Sequence, residues 1–242
     1  MKYTNLFDTR IQKTSIEDHS EIMSVFITAF RKEPNLEIQL INYYKGMPLS
    51  FNARISRIEN GTLELKVYPQ QAVAISDDHY TFIRSKLFKY DIVAKAFDVD
   101  IRQKTVSLRD LSYVEICAER RNHIRLRVNP PIDALYTTSQ GTVRGEIIEL
   151  STAGAIMAVD YTVDIGTFEG GKLLFKLPES DHKTFCHIKV PARIITVMDI
   201  SMPLHFIFSI AGDKTAEKNI AKYLFNRQIE IIRMLKDGCD IG

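Results

Sequence analysis

The first half of the chain begins with one segment of helical periodicity and continues as short alternating runs. In residues 15–32 the apolar side chains recur every three or four positions, which predicts a helix that Ser15 caps and Pro34 ends. Alternation of apolar and polar residues then predicts strands at 36–43, 49–58, 63–68, 72–75, 80–83, 92–101 and 105–114. The Asn60-Gly61 pair between two such runs is typical of a tight hairpin turn. This half therefore predicts a helix with a small antiparallel sheet or barrel.

The second half is a series of short apolar runs separated by glycine-containing turns. Strands are predicted at 124–128, 145–150, 155–159, 171–177, 187–198 and 205–210. Many short strands with no helical segment between them favour an antiparallel barrel. We therefore expect a second β domain after a junction near residues 114–121, where the alternation stops and charged residues accumulate.

The last segment, residues 213–236, has helical spacing. Its apolar stripe is formed by Ile220, Leu224, Ile231 and Leu235. Asp213 or Thr215 could cap the helix, and we expect it to cover one end of the barrel and to stop at Gly238. The opposite face is predicted to be solvated or to contact a partner through Lys218, Lys222, Arg227, Arg233 and Lys236. The predicted fold class is mainly β with flanking helices: two small antiparallel β-barrel or sheet domains, the second closed by the C-terminal helix.

Arginines cluster at the start of the second half. Four of them lie within the eight residues from Arg120 to Arg127. The alternation predicts that Ile124, Leu126 and Val128 point inward while Arg125 and Arg127 point outward. The planar guanidinium group suits phosphates and the O6/N7 edge of guanine, because it donates two parallel hydrogen bonds. The cluster therefore indicates an anionic ligand.

A second polar group ends the strand predicted at 145–150. Glu149, Ser151 and Gly154 supply a carboxylate, a hydroxyl and a residue without a Cβ atom. A carboxylate can accept hydrogen bonds from the guanine N1–H and N2–H₂ groups, and glycine allows a flat base to approach the backbone. Together with the arginines, these residues indicate a pocket for an anionic guanine nucleotide.

The two segments resemble the RxxxR and (D/N)xSxxG motifs of the PilZ domain. Arg121 and Arg125 match the first motif, with Arg120 as the additional arginine before it. Residues 149–154 match the second, with Glu149 where the family has Asp or Asn. The length and order of segments further resemble the YcgR-type flagellar brake proteins. This resemblance implies an N-terminal domain over residues 1–115, a PilZ barrel over 116–242 and a switch segment at about 114–121.

The resemblance also implies a ligand and its contacts. PilZ domains bind cyclic di-GMP, and the residues so implied are Arg120, Arg121, Arg125, Glu149, Ser151, Ala153 and Gly154. By the same resemblance, binding would rotate one domain relative to the other and act on the flagellar motor or another motility or biofilm target. Arg127 points outward too but lies outside the motif, so it is expected to have no part in binding. An alternative is that the motif is degenerate, since Glu149 adds a methylene, and that the domain is a ligand-independent interaction module.

Composition limits the other classes of function. The net charge is +2 and is shared evenly between the two halves, which disfavours DNA or RNA binding. No nucleophile has an evident base and no His or Cys spacing fits a metal, so we expect no catalysis, metal or cofactor. Three distant cysteines, without a signal peptide or an apolar span, predict a cytoplasmic protein. The sequence leaves open whether it is a monomer or a homodimer.

Overall fold

The computed structural model describes residues 6–161, 170–179, 184–198 and 202–241. The chain divides into two compact units. The first unit comprises the chain up to Asn122 together with the residues from Ile231 onward, and the second comprises His123–Glu230. Both are mainly β and antiparallel, which confirms the predicted fold class. The division lies after the predicted boundary at residue 115, because the intervening segment packs on the first unit: Ala118 is buried, and its N–H donates to the Leu6 carbonyl.

The first unit is built on a seven-stranded antiparallel sheet. The order of strands is β1-β7-β4-β3-β2-β5-β6, and a further pairing of β6 with β7 closes the sheet into a ring. The strands are β1 (Asp8–Thr9), β2 (Glu37–Tyr44), β3 (Met47–Glu59), β4 (Thr62–Lys66), β5 (Tyr80–Arg84), β6 (Asp91–Asp100) and β7 (Thr105–Glu115). Asn60 and Gly61 both have positive φ and join β3 to β4, as the tight-turn pattern predicted.

The first helix has the predicted bounds. Helix α1 (Ser15–Lys32) buries Ile22 and Phe26 in the core of the first unit. Its cap is Thr14 rather than the predicted Ser15: the Thr14 hydroxyl oxygen accepts a hydrogen bond from the Glu17 N–H at 3.2 Å. The Glu17 carboxylate in turn accepts from the Thr14 hydroxyl at 2.8 Å. This cap satisfies one of the backbone donors that every helix leaves open at its start.

One predicted strand is wrong. Residues 72–75 belong to helix α2 (Pro69–Asp78), which begins with a proline at its first turn and ends at His79 in the left-handed conformation. A short apolar run reads equally well as a buried strand or a buried helix. Here Pro69 supplies the deciding signal, since its fixed φ suits the first position of a helix.

Helix α2 covers a cluster of buried polar side chains in the first unit. The Asn42 Oδ1 atom accepts hydrogen bonds from Gln71 Nε2 at 2.7 Å and from Thr81 Oγ1 at 2.6 Å. The Asn42 amide donates to the Tyr80 carbonyl at 2.8 Å and to Asp78 Oδ2 at 3.2 Å. Burial raises the pKa of Asp78 to about 7. The Asp78 carboxyl group is therefore mainly protonated at pH values below about 7.

The second unit is a closed six-stranded antiparallel barrel. The order of its strands is β10-β13-β12-β11-β8-β9, and every adjacent pair is antiparallel. The strands are β8 (Leu126–Thr137), β9 (Thr142–Leu150), β10 (Gly154–Val159), β11 (Gly171–Pro178), β12 (Phe185–Met198) and β13 (Leu204–Ile210). Tyr136 and Phe208 fill the interior, with ring centroids 4.8 Å apart. The predicted barrel is thus confirmed, although β8 extends well beyond its predicted end at residue 128.

The last helix differs from the prediction at its end and on one face. Helix α3 (Lys214–Ile241) begins with the Asp213 carboxylate accepting from the Ala216 N–H at 2.8 Å, and its predicted apolar stripe is buried. It continues through Gly238 instead of stopping there. Within the first unit, a Cβ atom at Gly238 would lie 2.9 Å from Val73, so glycine allows a close approach. Arg227 is also not on an exposed face, since its side chain is only 3% exposed.

Candidate ligand-binding site

The two motifs meet on neighbouring strands of the barrel. Across the β8–β9 pair, Leu126 is aligned with Leu150 and Arg127 with Glu149. Arg125 immediately precedes β8 and is partly exposed. The strand pairing therefore brings Arg125 and Arg127 close to the carboxylate of the second motif.

An irregularity in β9 determines where Glu149 points. Ile147 faces the barrel interior, and residues two apart share a face, so a regular strand would also turn Glu149 inward. Relative to β10, however, β9 has one extra residue at Ile148. The bulge shifts the alternation, so that Leu150 is buried and Glu149 lies on the outer side beside Arg127.

Arg127 lies beside Glu149 on the neighbouring strand. Its side chain is half-buried, and burial lowers its pKa while the charge of Glu149 opposes that change. Arg127 was expected to have no part in binding; its alignment with Glu149 places it beside the second motif, and its role in binding stays a prediction. Its outward phase, shared with Arg125, was the signal in the sequence that indicated this placement.

A hydrogen bond joins the start of the first motif to the turn of the second. His123 Nδ1 and Thr152 Oγ1 lie 2.9 Å apart. The segment before β8 thus runs alongside the β9–β10 turn and does not continue as a strand. Ile124 is accordingly 48% exposed, whereas the alternation predicted that it would point inward. Neither residue of the His123–Thr152 pair was selected from the sequence as a contact.

Three predicted ligand contacts have a structural role in the β9–β10 turn. The Ser151 hydroxyl is buried and donates to the Gly154 carbonyl at 3.1 Å, and the Ser151 N–H donates to the same oxygen at 2.8 Å. The Ala153 carbonyl accepts from the Ile210 N–H at 3.0 Å. A Cβ atom at Gly154 would lie 2.9 Å from the Phe208 carbonyl oxygen. The glycine is thus required by the neighbouring strand β13, and direct contact of these residues with a ligand stays a prediction.

The remaining predicted arginines belong to the first unit, where ion pairs hold the segment around them. Arg84 donates to both oxygens of Asp91 at 2.6–2.9 Å and to both oxygens of Glu119 at 2.8–3.0 Å. Arg120 pairs with Glu115, which also pairs with Arg10. The 3₁₀ turn at Cys117–Arg120 is therefore anchored by several charged hydrogen bonds.

Arg121 lies near Tyr43 of the first unit. Its N–H donates to the Ala118 carbonyl at 3.3 Å, and the side chain is partly exposed. The pKa of Tyr43 is raised to about 12, chiefly by burial and also by the charge of Glu119, while the positive charge of Arg121 acts to lower it. Arg121 is therefore close enough to Tyr43 to change its ionisation.

A groove of about 1000 Å³ lies on the second unit, away from the motif residues. It forms where β8 diverges from β11, because these strands pair only over Ala134–Thr137. Its lining includes Pro130, Ile132, Pro178, Phe185, Tyr223 and Glu230. No pattern in the sequence indicated this groove.

The described parts of the chain contain neither a candidate metal site nor a candidate membrane-spanning helix. No group of three or more His, Cys, Asp or Glu side chains there could hold a metal ion. None of the described helices has both the length and the apolar character needed to cross a membrane.

Three solved structures match this chain over most of their own length. E. coli YcgR in complex with c-di-GMP is 12% identical, with a TM-score of 0.41, over 93% of this chain and 95% of that one. The Bacillus subtilis inhibitor of motility MotI/DgrA is 13% identical, with a TM-score of 0.40, over 81% of this chain and 97% of that one. The PilZ domain of E. coli YcgR with c-di-GMP is 15% identical, with a TM-score of 0.39, over 48% of this chain and 98% of that one.

No protein-family model and no curated protein sequence matches the chain.

Proposed function

We propose that the protein is a cytoplasmic receptor for cyclic di-GMP. The observation that carries the proposal is the alignment of Arg127 with Glu149, beside Arg125. Guanidinium groups suit the phosphates and the O6/N7 edge of guanine, and the carboxylate suits the N1–H and N2–H₂ donors on the same base. A ligand that presents both phosphates and guanines matches all of these groups.

The two arginines of the first unit would complete the binding set. Arg120 and Arg121 precede Arg125 by five and four residues, so the same short segment carries all of them. Arg120 would exchange its partner Glu115 for a ligand phosphate. Because the two compact units divide inside this segment, capture of the ligand would reorder it and reorient one unit relative to the other. The reoriented surfaces would then act on a motility or biofilm target.

Titration calorimetry with cyclic di-GMP tests the proposal. We expect micromolar or tighter binding, and much weaker binding of cyclic di-AMP and of linear analogues. Adenine leaves the guanine-reading groups unpaired, which costs about 1–3 kcal/mol for each buried group. Equal affinity for the adenine compound would exclude a guanine-specific site. The same titration gives the number of ligands bound.

A second candidate is a ligand-independent interaction module. Two observations favour it. Contacts within the β9–β10 turn and with β13 already account for Ser151 and Gly154. Glu149 is already aligned with a basic residue, Arg127. A decayed receptor could keep these residues for its fold alone. In that case the parent protein would not bind cyclic di-GMP, while its barrel would remain stable.

A further inference from the structure

Among the described residues of the barrel unit, Arg227 on helix α3 is the most deeply buried charged side chain. Its Nε–H donates to the Arg127 carbonyl at 3.0 Å, and its Nη1 donates to Glu230 Oε2 at 2.8 Å. Its Nη2 has no hydrogen-bond partner within the described ranges. Burying a guanidinium group with incomplete pairing is costly, so its retention at this position calls for a physical reason.

The contact falls at a particular step of strand β8. Arg127 is the last residue of β8 that is aligned with β9 before the pairing breaks, and the next aligned residue is Ile132. The two intervening prolines, Pro130 and Pro131, have no N–H to donate to a neighbouring strand. The backbone at Arg127 is thus held by two contacts. It pairs with β9, and its carbonyl accepts a hydrogen bond from Arg227 of α3 at the point where the pairing with β9 ends.

From this contact we infer that Arg227 is a positioning residue for the cyclic di-GMP site, an inference that rests on the proposed function. It does not touch the ligand. It holds the β8 backbone at Arg127, so that the side chains of Arg125 and Arg127 keep their direction relative to Glu149. Sites that read hydrogen-bond geometry lose affinity when their groups shift by a fraction of an ångström.

The shape of the guanidinium group explains why arginine is needed. Its rigid, planar fork directs one hydrogen bond to the backbone of β8 and another to Glu230, one turn along the same helix. Lysine keeps the charge but has a single flexible ammonium group and cannot hold both directions. Glu230, which is 36% exposed, orients the fork from outside the core.

The first test compares Arg227→Lys with Arg233→Lys, a matched change at an exposed position of the same helix. Calorimetry is done at a temperature at which both variants are folded. We expect Arg227→Lys to weaken cyclic di-GMP binding by about tenfold or more and to reduce the preference over cyclic di-AMP. Arg233→Lys should bind like the parent protein. A lower melting temperature with unchanged affinity and preference would mean a structural role only and would overturn the inference.

The second test avoids the buried position. Glu230→Gln keeps an oxygen that accepts from Nη1, whereas Glu230→Ala removes it. We expect the glutamine variant to bind nearly as the parent does and the alanine variant to bind several-fold more weakly. If the parent binds but both Glu230 variants match it, the inference is overturned and the proposed function stands. If the parent itself does not bind cyclic di-GMP, the proposed function fails, and the inference fails with it.

Discussion

Arg127 and Glu149 occupy the same step of the β8–β9 ladder, with opposite charges on neighbouring strands. Glu149 lies in the second motif, whereas Arg127 lies just outside the first. In the absence of ligand, the carboxylate lowers the cost of burying the Arg127 guanidinium group, as its effect on the pKa of Arg127 indicates. A guanine that uses the same carboxylate must therefore compete with Arg127, and variants at the two positions are expected to be energetically coupled.

The first prediction concerns Glu149. Glu149→Ala should weaken cyclic di-GMP binding by about 1.5–3 kcal/mol, the usual contribution of a hydrogen bond to a charged group. Glu149→Asp should preserve or tighten binding, because it restores the shorter side chain of the family motif. Calorimetry on both variants checks this. If the parent does not bind and Glu149→Asp does, the protein is a decayed receptor and the interaction-module alternative is correct.

The second prediction concerns Arg125. Arg125→Ala should abolish measurable binding of cyclic di-GMP, because the ligand loses a charged bidentate partner. The melting temperature should change little, since the residue precedes β8 and is partly exposed. Arg193→Ala is a better control than a change at Arg127, because Arg193 is exposed on β12, which pairs with neither motif strand. Equal losses from the two alanine variants would indicate diffuse charge attraction.

The third prediction concerns the ion pair that engages Arg120. Glu115→Gln should raise affinity for cyclic di-GMP by about two- to fivefold, because an exposed ion pair of about 0.2–1 kcal/mol no longer competes for Arg120. Glu59→Gln makes the same change in net charge at an exposed ion pair with Arg57. If both variants increase affinity equally, the effect comes from net charge and not from release of Arg120.

The fourth prediction separates structure from binding in the β9–β10 turn. Gly154→Ala should lower the free energy of unfolding by about 1–3 kcal/mol, because its Cβ atom would crowd the Phe208 carbonyl oxygen. Gly141→Ala serves as the control, since a Cβ atom there meets nothing within 4 Å. Denaturant unfolding of the two variants measures the difference. Equal stabilities would show that β13 can move away at no cost.

The fifth prediction concerns pH. The folded pKa of Asp78 is raised from 3.8 to about 7, so the folded protein binds more protons than the unfolded chain between these values. The contribution of Asp78 to stability is therefore lost as the pH rises through this window. Asp78→Asn should stabilise the protein by about 1–3 kcal/mol at pH 8 and should have little effect near pH 4.

Thermal unfolding across this pH range provides the measurement for Asp78. Asp77→Asn is the control, because Asp77 is an exposed neighbour that pairs with Lys45 at 3.5 Å. A pH dependence that is unchanged in Asp78→Asn would mean that another group titrates in this window.

The sequence predicted those elements whose periodicity was long and uninterrupted. Helix α1 has the predicted bounds, and the apolar stripe of α3 is buried as expected. Short apolar runs and single glycine residues were less informative. Residues 72–75 are too few to distinguish a helix from a strand. Gly238 does not end its helix; a glycine is found there because the neighbouring Val73 leaves no room for a larger side chain.

The sequence predicted one pocket from the two motif segments, and the structure adds contacts that depend on tertiary packing. The alignment of Arg127 with Glu149 depends on register, which a pattern of residue types does not specify. Arg227 is a different case. It is seven residues from Ile220, three from Leu224 and four from Ile231, so helical spacing places it on the buried apolar stripe. The prediction that it faces solvent with the lysines was therefore wrong on periodicity alone, and the strand beneath it provides a carbonyl for its guanidinium group.

The extra residue at Ile148 separates the direction of Glu149 from the direction of Ile147. Deleting Ile148 would make Glu149 follow Ile147 directly, so strict alternation would keep Glu149 on the outer side and Leu150 buried. Flattening the bulge with every residue present would instead turn Glu149 into the barrel and expose Leu150. A chain one residue shorter here would therefore keep the outward carboxylate, whereas a chain of the same length without the bulge would keep every motif letter and lose the proposed binding surface.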